Sequence, residues 1–326
     1  MKAENISSCP VCDGTGKQLY VDVEDYFFGI SGKTALTQCN SDSCGHIWQN
    51  PMIVDDDIKF AYSNYYTHSD SMAGQRNQNK GFLSGRSFYA FDRLFVALFG
   101  LARKRVRFSM GYLDEVKTGS LLDVGCGNGS FAAKMKGLGW KVRGTDFDPV
   151  LAEQVSNEYD FPVHIGTLNE IGFESGMFDV LTARHVMEHV RDPIEFLREC
   201  IRLVKPGGRM VFVTPNTRSA GHLYYNKWWR GLEQPRHLNL FCASSVKALL
   251  QRAGISESTI FSTAQGAVYI FRETAQFQNR NRSKTMRWLA AGRVWMLYIF
   301  ELIATEKMGF DLGEELVIIV NKPLLS

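Results

Sequence analysis

Residues 120–130 read Ser120-Leu121-Leu122-Asp123-Val124-Gly125-Cys126-Gly127-Asn128-Gly129-Ser130, and this stretch decides the fold. Ser120 to Val124 is the short apolar run of a buried strand, and three glycines at alternate positions follow it. From Ser130 to Gly137 the placing of Phe131, Ala132 and Met135 is helical. Lys141 to Thr145 reads as a second strand, closed by Asp146-Phe147-Asp148-Pro149. Strand, glycine loop, helix, strand and acid together make the unit that holds an adenosine cofactor at the carboxyl edge of a parallel sheet. The glycines let backbone approach the ligand, and the acid ending the second strand accepts the ribose hydroxyl protons. A dinucleotide fingerprint needs its third glycine where Ser130 stands, and the loop lacks the Gly-Lys-Ser/Thr ending of a phosphate loop.

The run Asp123-Val124-Gly125-Cys126-Gly127-Asn128-Gly129 resembles motif I of the class I S-adenosylmethionine (SAM) dependent methyltransferases. The resemblance continues in order along residues 119–262 and 314–322. It implies an α/β fold: a Rossmann-like, doubly wound, seven-stranded sheet with the last strand antiparallel. Pro162 to Ile165 looks like the third strand, Phe178 to Thr182 the fourth, and Asp192-Pro193 opens a helix to Leu203. Lys205-Pro206-Gly207-Gly208 is the turn into a fifth strand, Arg209 to Thr214; Thr259 to Thr263 is the sixth, and Glu315 to Asn321 the closing one. By the same resemblance SAM is held by Asp123, Gly125, Cys126, Gly127, Gly129, Asp146, Phe147, Thr167, Leu168 and Arg184. An acidic residue common in the family near Thr167 is missing here.

Of the seven cysteines, four form two turns, Cys9-Pro10-Val11-Cys12 and Cys39-Asn40-Ser41-Asp42-Ser43-Cys44, each with a glycine close behind. Such turns aim backbone N–H groups at the sulfurs, which suits a tetrahedral structural zinc; the other reading is four unmetallated thiols. Four thiolates leave no open position for catalysis, and a module this small needs the metal to fold. We expect residues 1–58 to be a zinc ribbon, 59–113 a helical linker or lid, and 114–326 the methyltransferase domain with a helical insertion at 264–312. The stretches Gly45 to Pro51, Tyr65-Tyr66, His185-Val186-Met187-Glu188-His189-Val190 and Glu233 to Phe241 extend the resemblance to bacterial zinc-ribbon methyltransferases. Those are associated with surface-polysaccharide or secondary-metabolite pathways and have a core like the ubiquinone-type O-methyltransferases.

Methyl transfer from a sulfonium is an in-line displacement, so positioning supplies most of the acceleration, but an alcohol acceptor must also lose a proton. His185, Glu188 and His189 end the fourth strand and His237 lies in the loop after the fifth, both at the cofactor edge. A neutral imidazole is a base suited to neutral pH. Their alternative readings are structural hydrogen bonding and a divalent metal site. The pattern is similar to small-RNA 3′-end methyltransferases that hold Mg²⁺, with His185 in place of their first glutamate. Pro235-Arg236-His237 offers little packing reason to be in a loop, which favours a functional His237. Tyr224, Tyr225, Trp228 and Trp229 read as a lid over the acceptor, or as a cover on the core edge.

The composition, 45% hydrophobic and 22% charged over 326 residues, excludes disorder and low complexity for the chain as a whole. The 37 basic and 34 acidic residues give +3, which neither demands nor forbids a polyanionic partner. The first residues lack the apolar core of a secretory signal, and no apolar run reaches the roughly 18–20 residues that span a bilayer, so we expect a cytoplasmic protein. Residues 87–108 read as one apolar helix ending in Arg103, Lys104, Arg105 and Arg107. Within the insertion, Arg280, Arg282, Lys284 and Arg287 precede Trp288 to Phe300, apolar on nearly all faces. Such a helix must be covered, by the helix at 87–102 in cis or across a homodimer, or else by peripheral membrane contact. The expected acceptor is a small molecule or glycan, through a hydroxyl of a sugar or secondary metabolite. The alternatives are an RNA base methyltransferase, disfavoured by the acidic ribbon (Asp13, Asp22, Glu24, Asp25), and a non-catalytic SAM-binding scaffold.

Overall fold

The ribbon begins with β1 (Ala3–Glu4), β2 (Gly16–Glu24), β3 (Lys33–Cys39), β4 (Ile47–Gln49) and β5 (Met52–Ile53). The structure is a computed structural model and describes residues 2–54, 96–97, 100–280 and 282–324. Tyr62, Tyr65, Tyr66, the polar stretch at 69–85 and most of the helix read over 87–108 lie outside the described residues. That helix is not continuous. Gly100 is at φ +65°, its N–H donating to Ala97 O and that of Leu101 to Val96 O, which closes one helix before α1 (Ala102–Ser109) begins.

The remaining elements alternate as a parallel sheet requires: β6 (Ser120–Val124), α2 (Ser130–Gly137), β7 (Lys141–Asp146), α3 (Pro149–Tyr159), β8 (Val163–Ile165), α4 (Leu168–Ile171) and β9 (Phe178–Arg184). They continue with α5 (Pro193–Leu203), β10 (Val204–Pro215), α6 (Ala220–Tyr225), β11 (Asn239–Leu240) and α7 (Ala243–Arg252). Last come β12 (Thr259–Thr263), α8 (Ala267–Gln278), α9 (Lys284–Glu306) and β13 (Glu315–Asn321). Two helices start in the same way. Asp148 and Asp192 each accept two backbone N–H groups from the first turn, and a proline supplies the first helical φ, a cap of about 1 kcal/mol. In α5 the buried residues Pro193, Leu197, Cys200 and Leu203 recur at helical spacing, so one face lies on the sheet.

The seven-stranded sheet has the order β12-β13-β10-β9-β6-β7-β8, in which β13 runs antiparallel to both neighbours and the other pairs are parallel. Chain order reverses at β6, which lies between β7 and β9, so the loops leaving β6 and β9 diverge and open a crevice. The expected turn at Lys205–Gly208 is instead an irregularity inside β10, where the register against β9 shifts between Val204 and Arg209.

The ribbon is not a free appendage. β11, from the loop after β10, pairs with β4, so its four-stranded sheet runs β11-β4-β3-β2. Gln49 Nε2 donates to Gln234 Oε1 and Pro235 O, and His46 Nε2 meets Asn239 Oδ1 at 2.9 Å, all buried. Trp48 shares one apolar core with Phe241, Val246 and Leu249. The two stretches 45–51 and 233–241 are therefore halves of one latch.

Helix α9 buries Ala291, Val294, Tyr298 and Leu302, which recur every three or four residues, against Phe271 of α8 and against Val96 and Leu101. Arg105 donates to the Tyr298 hydroxyl and Lys104 to Glu306, so one face of α9 is covered within the chain, while Trp288, Met296 and Phe300 on its other faces are exposed. Contrary to expectation, residues Thr285–Glu306 are long and apolar enough to cross a membrane by length and composition; 39% of that window is buried in the protein. A packed core helix meets the same criterion.

Candidate active site

The cofactor crevice is built where β6 gives way to α2. Gly127, at φ +52°, donates its N–H to Asp146 Oδ2 at 3.0 Å, and a Cβ there would point into open space. At Gly125 a Cβ would come within 2.6 Å of Val186, so only glycine lets the loop close on that side chain. Cys126 N–H donates to Thr145 O and pins the loop to β7. Asp146 also accepts from Asp148 N–H, leaving each carboxylate oxygen a further lone pair. Burial raises its pKa, against the two N–H groups, so it is primed to take donated hydrogen bonds. Gly129 caps α2 at φ +70°.

The other sites read from motif I fall into place unequally. Asp123 is buried and accepts from Thr182 Oγ1 of β9 at 2.7 Å; burial pushes its carboxyl up to about 6. Arg184 has its guanidinium between the rings of Phe108 and Phe131, 5.0 and 5.1 Å from their centroids. Phe147 is 42% exposed beside Asp146. Thr167 spends its hydroxyl on a capping box with Glu170, and Leu168 is buried in the core, so this segment offers backbone rather than those side chains. The exposed apolar side chain at that edge is Ile165, 54% accessible, which sequence reading did not single out as a site residue. An adenine ring fits between exposed apolar groups next to a ribose-binding acid, so these residues suit SAM.

The second cluster lies at the end of β9. His185, at φ +56°, faces Glu188 Oε1 through Nδ1 at 3.2 Å and Glu315 Oε1 through Nε2 at 2.9 Å. The side chain is 44% exposed, and the two carboxylates on its nitrogens raise its pKa to about 10. His185 is therefore a cation at neutral pH with both nitrogens engaged, and the expectation that it serves as a neutral base is corrected. Glu315 was not singled out as a partner; it starts β13, far along the chain, and nothing local marks it. Burial would raise the Glu188 carboxyl, yet the hydrogen bond from His185 and the charge on that ring bring it to about 2; Thr214 Oγ1 also donates to it.

His189 and His237 are different. His189 Nδ1 meets Arg236 O at 3.1 Å and His237 Nδ1 meets Gly231 O at 2.8 Å. A carbonyl only accepts, so each Nδ1 carries a proton. Burial and then His189 lower the His237 pKa to about 4, which keeps it neutral. The two rings are 4.7 Å apart, and ligand atoms of Glu188, His189 and His237 lie within 4.8 Å of one another. Contrary to the reading of an unpacked loop, Pro235-Arg236-His237 is buried, with Arg236 paired to Asp25. Two of the aromatic residues read as a lid belong to the core: Trp229 is 1% exposed and donates from Nε1 to Glu314, and Tyr225 is buried. Of the acidic ribbon residues, Asp25 is likewise spent on Arg236 rather than exposed.

The four thiols of Cys9, Cys12, Cys39 and Cys44 converge within 4.8 Å of one another, at 3.8 Å for Cys9–Cys44 and 3.4 Å for Cys12–Cys39. A zinc–sulfur distance of about 2.3 Å sets tetrahedral edges of about 3.8 Å, so the spacing fits. Ser41 N–H donates to Cys39 Sγ, and a Cβ on Gly14 would sit 3.2 Å from Cys12 Sγ.

Residues 97–256 match a family described as a methyltransferase domain. The chain is 31% identical over 157 residues to the ubiquinone biosynthesis O-methyltransferase of Caulobacter vibrioides, which covers 42% of this chain and 62% of that protein. It is 35% identical over 108 residues to the protein of that name from Xanthomonas oryzae pv. oryzae, over 31% and 44% of the two lengths. The chain thus spans 44–62% of the length of these curated relatives. A SAM-dependent methyltransferase structure from Archaeoglobus fulgidus aligns at TM-score 0.46 and 19% identity, over 71% of this chain and 100% of that one. Family match, strand order and the glycine loop set against Asp146 agree: this chain carries a class I SAM-dependent methyltransferase domain.

Proposed function

We propose that this protein transfers a methyl group from SAM to a hydroxyl of a small-molecule or glycan acceptor. One observation carries the reading: His189 and His237 each turn Nδ1 to a backbone carbonyl, and ligand atoms of both rings gather within 4.8 Å of a Glu188 carboxylate oxygen at the end of β9. The name of the relatives, ubiquinone biosynthesis O-methyltransferase, supports an oxygen acceptor.

SAM, when bound, supplies a methyl activated by a sulfonium. Asp146 would receive its ribose hydroxyls, Gly125, Gly127 and Gly129 would let backbone approach it, and Phe147 and Ile165 would flank the adenine. Arg184, held by two rings, is placed to meet a carboxylate. As the methyl carbon–oxygen bond forms and the methyl carbon–sulfur bond breaks, leaving S-adenosylhomocysteine, the acceptor hydroxyl would give its proton to the imidazole of His237 or His189. The Glu188 carboxylate stabilises the imidazolium so produced, while His185 balances that carboxylate in the resting state. A second reading has a specific observation behind it: the same three groups, with both Nδ1–H donated to carbonyls, form the orientation shell of a divalent metal site. In either case residues 2–54 would act as a zinc-stapled ribbon that holds the 233–241 loop.

The test is mass spectrometry of candidate hydroxyl compounds incubated with protein and SAM. A gain of one methyl on an oxygen supports the proposal; SAM binding without turnover on any acceptor would favour a scaffold.

A further inference from the structure

The outer face of α9 is apolar, and the carboxylates of that helix are turned inward. Met286, Trp288, Leu289, Met296 and Phe300 are each 49–67% exposed. At 100° per residue these five fall within a sector of about 160°, opposite the buried row of Ala291, Val294, Tyr298 and Leu302. A water-facing helix ordinarily shows the reverse, with its apolar groups in and its charges out. Isolated exposed apolar side chains need no explanation, but five gathered on one face mark a surface that something covers.

The charges say what kind of surface covers it. The helix has two carboxylates: Glu301 is fully buried and accepts the Glu314 N–H, and the Glu306 side chain, 5% exposed, holds Lys104 and Thr263. Arg293 lies in the apolar sector, and Arg280, Arg282 and Arg287 stand exposed at the amino-terminal end of the helix. Against them, Glu24 is the one acid among the described residues that line the adjoining cleft. A two-fold contact with a second copy would set this face against itself, Arg293 included, with no exposed acid on it to meet the guanidiniums. Apolar groups beside cations, with a tryptophan among them, match the boundary between acyl chains and anionic headgroups.

We propose that the outer face of α9 docks on an anionic phospholipid surface, with Trp288, Met296 and Phe300 at the acyl boundary and the four arginines among the lipid phosphates. The helix lies on the bilayer and does not cross it, because its opposite face is packed on Phe271 of α8 and on Val96 and Leu101. The inference stands on this face and not on the proposed methyl transfer.

Sedimentation of the full chain with phosphatidylcholine vesicles, made with and without phosphatidylglycerol, tests it without any turnover. Binding to the phosphatidylglycerol vesicles is expected, and it should be about tenfold weaker to phosphatidylcholine alone. It should also weaken about tenfold in the double change Met296→Asp with Phe300→Asp, and in Arg282→Ala with Arg287→Ala. All four side chains are exposed, so both variants should melt as the parent does. Absence of binding to phosphatidylglycerol vesicles, equal binding to the two kinds of vesicle, or binding unchanged in either variant would overturn the proposal. Sedimentation velocity without lipid forms the last arm: a parent dimer that the Met296 and Phe300 change dissociates would assign the face to a second copy and overturn it too.

Discussion

Arg236 Nη1 lies 2.8 Å from Asp25 Oδ2, and both side chains are sealed from solvent. This pair ties the ribbon to the loop that bears His237. Arg236 also meets Glu233 Oε1 at 3.2 Å and lies over the Phe28 ring at 4.3 Å, so three side chains from two segments converge on one guanidinium. Removing one partner of a buried pair strands the other, at a cost of about 3–5 kcal/mol. Asp25→Ala should come near the lower figure, because Glu233 remains. Urea denaturation measures it, and an unchanged midpoint would show that the latch contributes no stability.

Zinc is expected on Cys9, Cys12, Cys39 and Cys44, one per chain. Because the ribbon sheet includes β11, its removal should reach beyond the first 54 residues. Chelation should lower the melting temperature of the whole protein and not of a separate small transition. Metal analysis of protein purified without added metal checks it; less than about 0.2 zinc per chain, with folding untouched by chelator, contradicts the structural role.

Asp146→Ala should weaken SAM binding by about 1–3 kcal/mol, the cost of leaving ligand hydroxyls unpaired, with a smaller further loss as the Gly127 N–H is released. Calorimetry that finds the parent affinity in this variant would remove Asp146 from the ribose.

Ala variants of His237 and His189 should keep SAM affinity, and at least one should lose on the order of 10²–10⁴ in turnover if it takes the acceptor proton. Partial rescue by small-molecule bases would strengthen that role. Should both turn over normally, neither ring takes the proton. Metal retained by the parent but lost from Glu188→Gln, with the four cysteines intact, would favour coordination instead.

Glu314 links pH to stability. It is buried under Trp229 and Gly221 N–H, and burial raises its pKa from 4.5 to about 8. The folded state thus holds a proton that the unfolded chain releases above about 4.5. Its contribution is present below that value and declines as pH rises through about 8. Glu314→Gln should raise the melting temperature at pH 9 relative to that at pH 5 when compared with the parent, because the buried histidines His46 and His237, lowered to about 4, are unchanged in both proteins. Glu301, whose carboxyl accepts the Glu314 N–H and is also raised by burial, and His185, raised from 6.5 to about 10, contribute to the slope that remains. An identical slope in parent and variant would show that Glu314 does not hold the proton.

The Rossmann-like sheet and the cofactor loop are legible in sequence because their determinants are local. Gly125, Gly127 and Gly129 must adopt positive φ within a few residues of the strand they follow, and Asp146 ends the next strand along. The four cysteines are legible for the same reason, since each pair is made by one turn. What local reading cannot contain is the company a side chain keeps across the fold. His185 looks like a base until Glu315 arrives on β13, and Pro235-Arg236-His237 looks unpacked until Asp25 and Gln49 are laid against it. Trp229 and Tyr225 look like a lid until α8 and α9 cover them. Protonation states and burial depend on charges and surfaces brought within a few ångströms by chain segments far apart in sequence, and those distances exist only once the chain has folded.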